Sequence, residues 1–257
     1  MTLPRLKVGK CQRKETPESS VPAGYKIPPM DRRRFLAAAA LSAARLRSAD
    51  DGRKLLLPSD EPDELHFRLM WYNPVPAIDP ARYQLQIHGL VDKPLSLSLA
   101  DLRRFPQESQ NSRMKCVQCW SSRTVWGGFR FGHLLELAKP QRGVKAVRFD
   151  CADKWYEYFT IEELMKPRVL LALDMAGKPL PDRHGAPLRI IDPVRYGYKC
   201  AKLVTSVEFV AEAKGSMACD IGPYYTPGGE IKSGYDHPLD IGPNERRKIS
   251  GGEITEY

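Results

Sequence analysis

The chain has 257 residues, enough for one large domain or two small ones and for a hydrophobic core of its own. Lys and Arg number 40 against 31 Asp and Glu, a formal charge of +9, but 13 of the bases and only 5 of the acids fall in residues 1–54, which leaves 27 against 26 for the remainder. A balanced body argues against a nucleic-acid or anionic-membrane binder, and a hydrophobic fraction of 42% rules out wholesale disorder.

The first 54 residues read as a leader. Asp31-Arg32-Arg33-Arg34-Phe35-Leu36 followed by Ala37–Ala44 has a charged start, a short apolar stretch and small residues, the layout of an export signal. Arg32 and Arg33 ahead of Phe35 and Leu36 resemble a twin-arginine signal, with Asp31 standing where Ser or Thr is usual. The competing reading is a solvated, Ala-rich helix. This longest apolar run spans ten residues, Phe35 to Ala44, whereas a bilayer-spanning helix needs about 20, so no transmembrane segment is expected and a periplasmic or exported protein is.

From Leu55 to Pro80 the chain is Pro-rich and reads as extended. Alternation of Tyr83, Leu85, Ile87 and Gly89 with polar neighbours predicts a half-buried strand, and Ser98-Leu99-Ala100-Asp101 opens a helix capped by Ser98 and running to Phe105. A second helix is predicted over 131–138 and a strand over 146–151. Thr160-Ile161-Glu162-Glu163 is a capping box for a helix that Pro167 stops. Further strands are predicted over 169–173, 187–191 and 203–210, and the Gly- and Pro-rich tail from Gly215 reads as an irregular surface wrap. Together these elements predict an α+β fold, a single mixed, strand-rich domain over residues 55–257.

Two polar constellations could carry chemistry. In Arg113-Met114-Lys115-Cys116-Val117-Gln118-Cys119, flanking cations favour a thiolate, which is a nucleophile or a metal ligand. A redox disulfide, half of a zinc site and a single thiolate ligand all remain open for Cys116 and Cys119, although a zinc site lacks a second Cys or His pair. In the second constellation His184, Arg189, Lys199 and Lys202 could converge on a phosphate or another anion; the competing reading is a solvated basic loop.

The order and spacing of Asn73-Pro74-Val75-Pro76, Gln86-Ile87-His88-Gly89, Arg113-Met114-Lys115-Cys116, Trp126-Gly127-Gly128, His184-Gly185-Ala186-Pro187-Leu188-Arg189 and Tyr196-Gly197-Tyr198-Lys199 resemble the molybdopterin-binding domain of the sulfite oxidase family, in particular its haem-free exported bacterial members. The resemblance implies a molybdenum–molybdopterin cofactor with Cys116 as the protein's metal ligand and catalytic residue. It implies cofactor contacts from His184 and Arg189, a phosphate-holding segment Cys200-Ala201-Lys202, an acidic contact at Asp153, and pterin contacts near Trp71 and Tyr72. It also implies a small-molecule substrate and a redox partner, a membrane haem protein being the family's candidate.

Departures from the family bear on the substrate. The arginines that sulfite-oxidising members carry before Pro-Val-Pro and after the metal-binding cysteine are replaced here by Met70-Trp71-Tyr72 and Gln118-Cys119-Trp120, leaving Arg123 as the one evident substitute receptor for an anion. The resemblance therefore points to oxygen-atom transfer on a small heteroatom substrate, with sulfur preferred and sulfite disfavoured. The alternatives are a thiol-disulfide oxidoreductase using Cys116 and Cys119, or a binding module that keeps the fold without the activity.

Overall fold

Two five-stranded sheets form the framework of the computed structural model, which describes residues 55–56, 63–68, 71–116, 121–222, 225–231, 235–236 and 247–248. The leader over residues 1–54 and the thiol of Cys119 lie outside the described residues. In chain order the principal elements are Gln84–Gly89 (β1), Leu95–Ser98 (β2), Leu99–Leu102 (α1), Glu108–Lys115 (β3), Ser121–Phe129 (β4), Phe131–Ala138 (α2), Ala146–Cys151 (β5), Tyr156–Thr160 (β6), Ile161–Leu164 (α3), Leu170–Met175 (β7), Lys178–Pro179 (β8), Arg189–Ile191 (β9), Val204–Val210 (β10) and Met217–Ile221 (α4). One sheet runs β2-β1-β10-β5-β6 and the other β8-β7-β4-β3, with β9 also paired to β7. In the first sheet β1 and β10 are parallel and the other pairings antiparallel, so the fold is mixed and strand-rich, as the sequence predicts.

The main core packs β1, β5, β6 and β10 against β4, β7, β9 and α2, joining Leu85, Ile87, Phe149, Phe159 and Phe209 to Phe129, Leu171, Ile190 and Phe131. In α2, Phe131, Leu134 and Ala138 recur at helical spacing and form its buried stripe. Strand β7 reads as an unbroken apolar run because both of its faces are covered: Leu171 and Leu173 join the main core, while Leu170 and Ala172 join a second cluster with Phe67, Met114 and Trp126. At Gly128 a Cβ would lie 2.0 Å from the Leu171 carbonyl oxygen, so only glycine lets β4 approach β7 this closely.

Both predicted capping boxes form. Ser98 Oγ accepts from the Asp101 N–H at 3.2 Å, and Thr160 Oγ1 accepts from the Glu163 N–H at 3.1 Å. The first helix ends at Leu102, short of Phe105, because Pro106 biases the residue before it away from the α region. The long hairpin β3–β4, paired from Glu108↔Gly128 to Lys115↔Ser121, carries no apolar alternation on β3 and was not predicted as strand. The tail after Gly215 is more than a surface wrap: Ser216 caps α4, accepting from the Ala218 N–H at 3.2 Å, and both residues are buried. Among the described residues no helix is long and apolar enough to cross a membrane.

Candidate functional site

Segments far apart in sequence enclose one cavity of about 200 Å³. Met114 and Cys116 come from the end of β3, Asp153 and Trp155 from the β5–β6 turn, and Phe67, Arg68, Trp71 and Tyr72 from the extended chain before β1. The stretch from His184 to Lys202 and the residues Ile221 and Tyr225 complete the wall. Nine of the residues singled out from the sequence, Trp71, Tyr72, Cys116, Asp153, His184, Arg189, Cys200, Ala201 and Lys202, line this one space.

The wall is cationic at its buried end. Arg189 is buried, donates from Nη1 to the His184 carbonyl at 2.8 Å and lies with its guanidinium carbon 4.9 Å from the Trp126 ring centroid. Burial pushes its pKa down to about 10. Lys202 Nζ sits 3.6 Å from the Trp71 ring centroid, and burial, reinforced by the charge of Arg189, pulls its pKa down to about 7. Gly185 makes this juxtaposition possible: its φ is +97° and a Cβ there would lie 2.6 Å from Lys202 Cβ. Opposite, Asp153 is buried with its carboxylate accepting from the Trp155 N–H at 3.1 Å, and burial raises its pKa.

Two residues from the sequence reading lie elsewhere. Lys199 belongs to the core: its Nζ donates to Glu157 Oε2 at 2.5 Å and to the Tyr158 carbonyl at 3.0 Å. Arg123 is exposed on β4 directly opposite Arg113, beside a separate shallow depression with Asn111 and Thr124, and does not line the cavity. Cys200 lines the wall with a buried thiol tied to the Asp192 backbone, and burial raises its pKa to about 11, the mark of an inert structural thiol.

The family model for the oxidoreductase molybdopterin-binding domain matches residues 72–218. The chain belongs to that family. Two curated relatives are catalytic subunits of protein-methionine-sulfoxide reductase: that of Campylobacter jejuni is 32% identical over 182 residues, 64% of this chain and 61% of the relative, and that of Ralstonia nicotianae is 31% identical over 195 residues, 66% and 59% respectively. The chain thus spans about three fifths of their length. The crystal structure of the sulfane dehydrogenase SoxCD from Paracoccus pantotrophus superposes with a TM-score of 0.51 at 20% identity, covering 83% of this chain and 60% of that one, a likeness of fold.

The cavity fits the cofactor class of the oxidoreductase molybdopterin-binding family on its own chemistry. Three buried polar atoms on its lining residues, Trp71 Nε1, His184 Nδ1 and Arg189 Nε, have no hydrogen-bond partner among the described residues. Each such orphan costs roughly 1–3 kcal/mol, which a ligand carrying several polar ring atoms offsets. The pairing of Arg189 with Lys202 suits a phosphate. Among the described residues no group of three or more His, Cys, Asp or Glu side chains could hold a metal ion. Phe67 and Arg68 escaped the sequence reading because they sit in an irregular segment without periodicity, whereas Tyr198 was visible within the Tyr-Gly-Tyr-Lys motif.

Proposed function

We propose that this chain is a molybdenum oxidoreductase that removes oxygen from a neutral sulfoxide, of the methionine sulfoxide class, outside the cytoplasm. The reaction balances as sulfoxide plus two electrons and two protons giving thioether and water. The observation that carries the reading is the convergence on one cavity of a soft sulfur donor, Cys116, with two cations whose pKa values burial lowers, Arg189 and Lys202, and three polar atoms that have no hydrogen-bond partner among the described residues. Bound there, the molybdenum cofactor would supply two-electron oxygen-atom chemistry.

The chain's own residues bind, orient and shield. Arg189 and Lys202 hold the phosphate end, Trp71 and His184 offer polar atoms to the pterin, and Cys116 fixes the metal. Asp153, with its raised pKa, holds the Trp155 backbone at the wall through its carboxylate. The more exposed part of the wall holds Tyr72, Trp155, Ile221 and Tyr225 together with the cation Arg68, and Tyr72 meets Trp155 edge-on at 6.5 Å between centroids. The aromatic part of this wall suits a thioether, whose sulfur makes favourable contacts with aromatic rings. The absence of Arg123 from the cavity and the names of the curated relatives favour the same substrate class. Electrons come from a redox partner, for which a membrane haem protein is the family's candidate, and a twin-arginine signal at Arg32 and Arg33 delivers the folded chain.

The test is direct. Protein purified from a host that makes the cofactor should contain molybdenum and pterin in equal amounts and, with a reduced viologen dye as electron donor, should convert methionine sulfoxide to methionine while leaving sulfite unoxidised. Protein lacking both molybdenum and pterin, or one that oxidises sulfite faster than it reduces the sulfoxide, refutes the reading.

A further inference from the structure

His184 is buried in the cavity wall, and its two ring nitrogens have different surroundings. Nε2 lies 2.6 Å from Asp63 Oδ2, while Nδ1 is buried without a partner among the described residues. Asp63 gathers four donors. Its Oδ1 accepts from the N–H groups of Leu65 at 2.9 Å and Phe67 at 2.8 Å, and its Oδ2 meets His184 and, at 3.1 Å, Arg183 Nη2. Burial works against the charge, but the bonds from Phe67, His184, Arg183 and Leu65 outweigh it and hold the carboxyl below the ordinary carboxylate range. An ionised carboxylate only accepts, so Nε2 is the donor. Burial and the charge of Arg189 push the His184 imidazolium down to about 4, so the ring carries a single proton at neutral pH. That proton sits on Nε2, and Nδ1 keeps its lone pair.

We infer that Asp63 is a positioning residue that locks His184 in its Nε2–H tautomer, so that Nδ1 serves as a dedicated acceptor for an N–H or O–H group of the bound cofactor. The inference rests on reading the cavity as a cofactor site. Asp63 lies ahead of residues 72–218, so the selecting carboxylate comes from outside the matched domain, on a segment that also sets Phe67 edge-on to His184 at 5.5 Å and brings Arg68 to the cavity. Its role is the one an outer-shell carboxylate plays for a metal-binding histidine, where it sets the tautomer through the far ring nitrogen. Of the donor groups a pterin offers, ring N–H and exocyclic amine both satisfy such an acceptor, and a bare carbonyl facing Nδ1 is excluded.

The test uses the full chain labelled with 15N-histidine and produced without cofactor; five histidines give five ring pairs, and His184→Asn identifies the relevant one. The parent should show Nε2 protonated and Nδ1 bare from about pH 6 to 8, where an ordinary histidine titrates. Asp63→Ala should let the ring average between tautomers and lower the pterin retained by protein from a cofactor-making host by about tenfold. Asp63→Asn, which keeps a side-chain acceptor oxygen, should restore both. His184→Asn, whose oxygen takes the place of Nδ1, should retain more pterin than His184→Gln, whose oxygen reaches the place of Nε2. A proton on Nδ1 in the parent, or the same single tautomer in Asp63→Ala, overturns the inference. Absence of pterin from the parent strikes at the proposed function instead, and the tautomer measurement then decides the role of Asp63 by itself.

Discussion

Replacing Lys202 by methionine tests the electrostatics of the cavity, because this side chain carries its largest pH dependence near neutrality. Burial and then Arg189 draw the folded-state pKa of Lys202 down to about 7 from 10.5. Between those values the unfolded chain binds a proton that the folded chain does not, so stability rises with pH across the window and the cost of the buried charge is fully present below pH 7. The Cys200 thiol, raised to about 11, acts in the opposite direction above roughly pH 9, so the clean interval is about pH 7 to 9. Over it the cofactor-free parent should gain about 2 kcal/mol in urea unfolding. Lys202→Met should lose that gain and be more stable than the parent at pH 7. A phosphate-bearing ligand reverses the logic: it restores the protonated lysine, so its binding takes up a proton above pH 7 and weakens towards tenfold per pH unit. Lys202→Met should bind the same ligand weakly and without this dependence. Equal changes in stability between pH 7 and 9 for parent and variant would refute the placement of this lysine in a cation-crowded, water-poor wall.

Arg189→Ala should lower molybdenum and pterin content several-fold in protein from a cofactor-making host, since a charge-assisted bond is about twice as strong as a neutral one; metal analysis reads the result. Cys116→Ala should abolish turnover and remove one sulfur from the molybdenum edge X-ray absorption signal, whereas Cys119→Ala should leave both unchanged; the opposite pattern would transfer the ligand role to Cys119. Glu157→Gln should cost about 3 kcal/mol or more in urea unfolding, because it leaves the Lys199 ammonium buried against a neutral amide. A loss below about 1 kcal/mol would show that this pair is not an ion pair in solution.

The parts of the fold that were legible in the sequence are those where burial and periodicity coincide. Leu85 and Ile87 alternate with exposed glutamines on β1, Phe131, Leu134 and Ala138 make one helical stripe, and Ser98 and Thr160 announce their capping boxes three residues before the acid that completes each. Strand β3 was illegible because two of its inward positions, Gln110 and Ser112, are polar and satisfied by hydrogen bonding, which leaves Met114 as a single apolar residue on that face. Gln110 donates to Ser112 Oγ at 3.0 Å and to the Arg168 carbonyl at 2.9 Å, and no pattern of apolar residues records such bonds. At the site, the positions that match a family motif were legible, while Asp63 acts through a fold-back whose partner, His184, is 121 residues away.

Lys199 and Lys202 show where sequence reasoning runs out. They lie three residues apart in one basic stretch, and composition offers both to an anion equally. The difference is made by the short turn of 3-10 helix over Gly197–Lys199, which sends Lys199 inward to Glu157, the carboxylate to which Ser216 also donates, and by Gly185, which lets the next segment bring Lys202 to the cavity. Glu157 receives Lys199 on one oxygen and Ser216 Oγ at 2.6 Å and Trp155 Nε1 at 3.3 Å on the other, so the lysine that leaves the cavity still helps to build it: the same carboxylate holds Trp155 on the wall and anchors the cap of α4, whose far end supplies Ile221. A charge that an isolated motif would assign to ligand binding is thereby spent on the architecture around the ligand, while Lys202, with its pKa lowered by burial, lines the cavity itself.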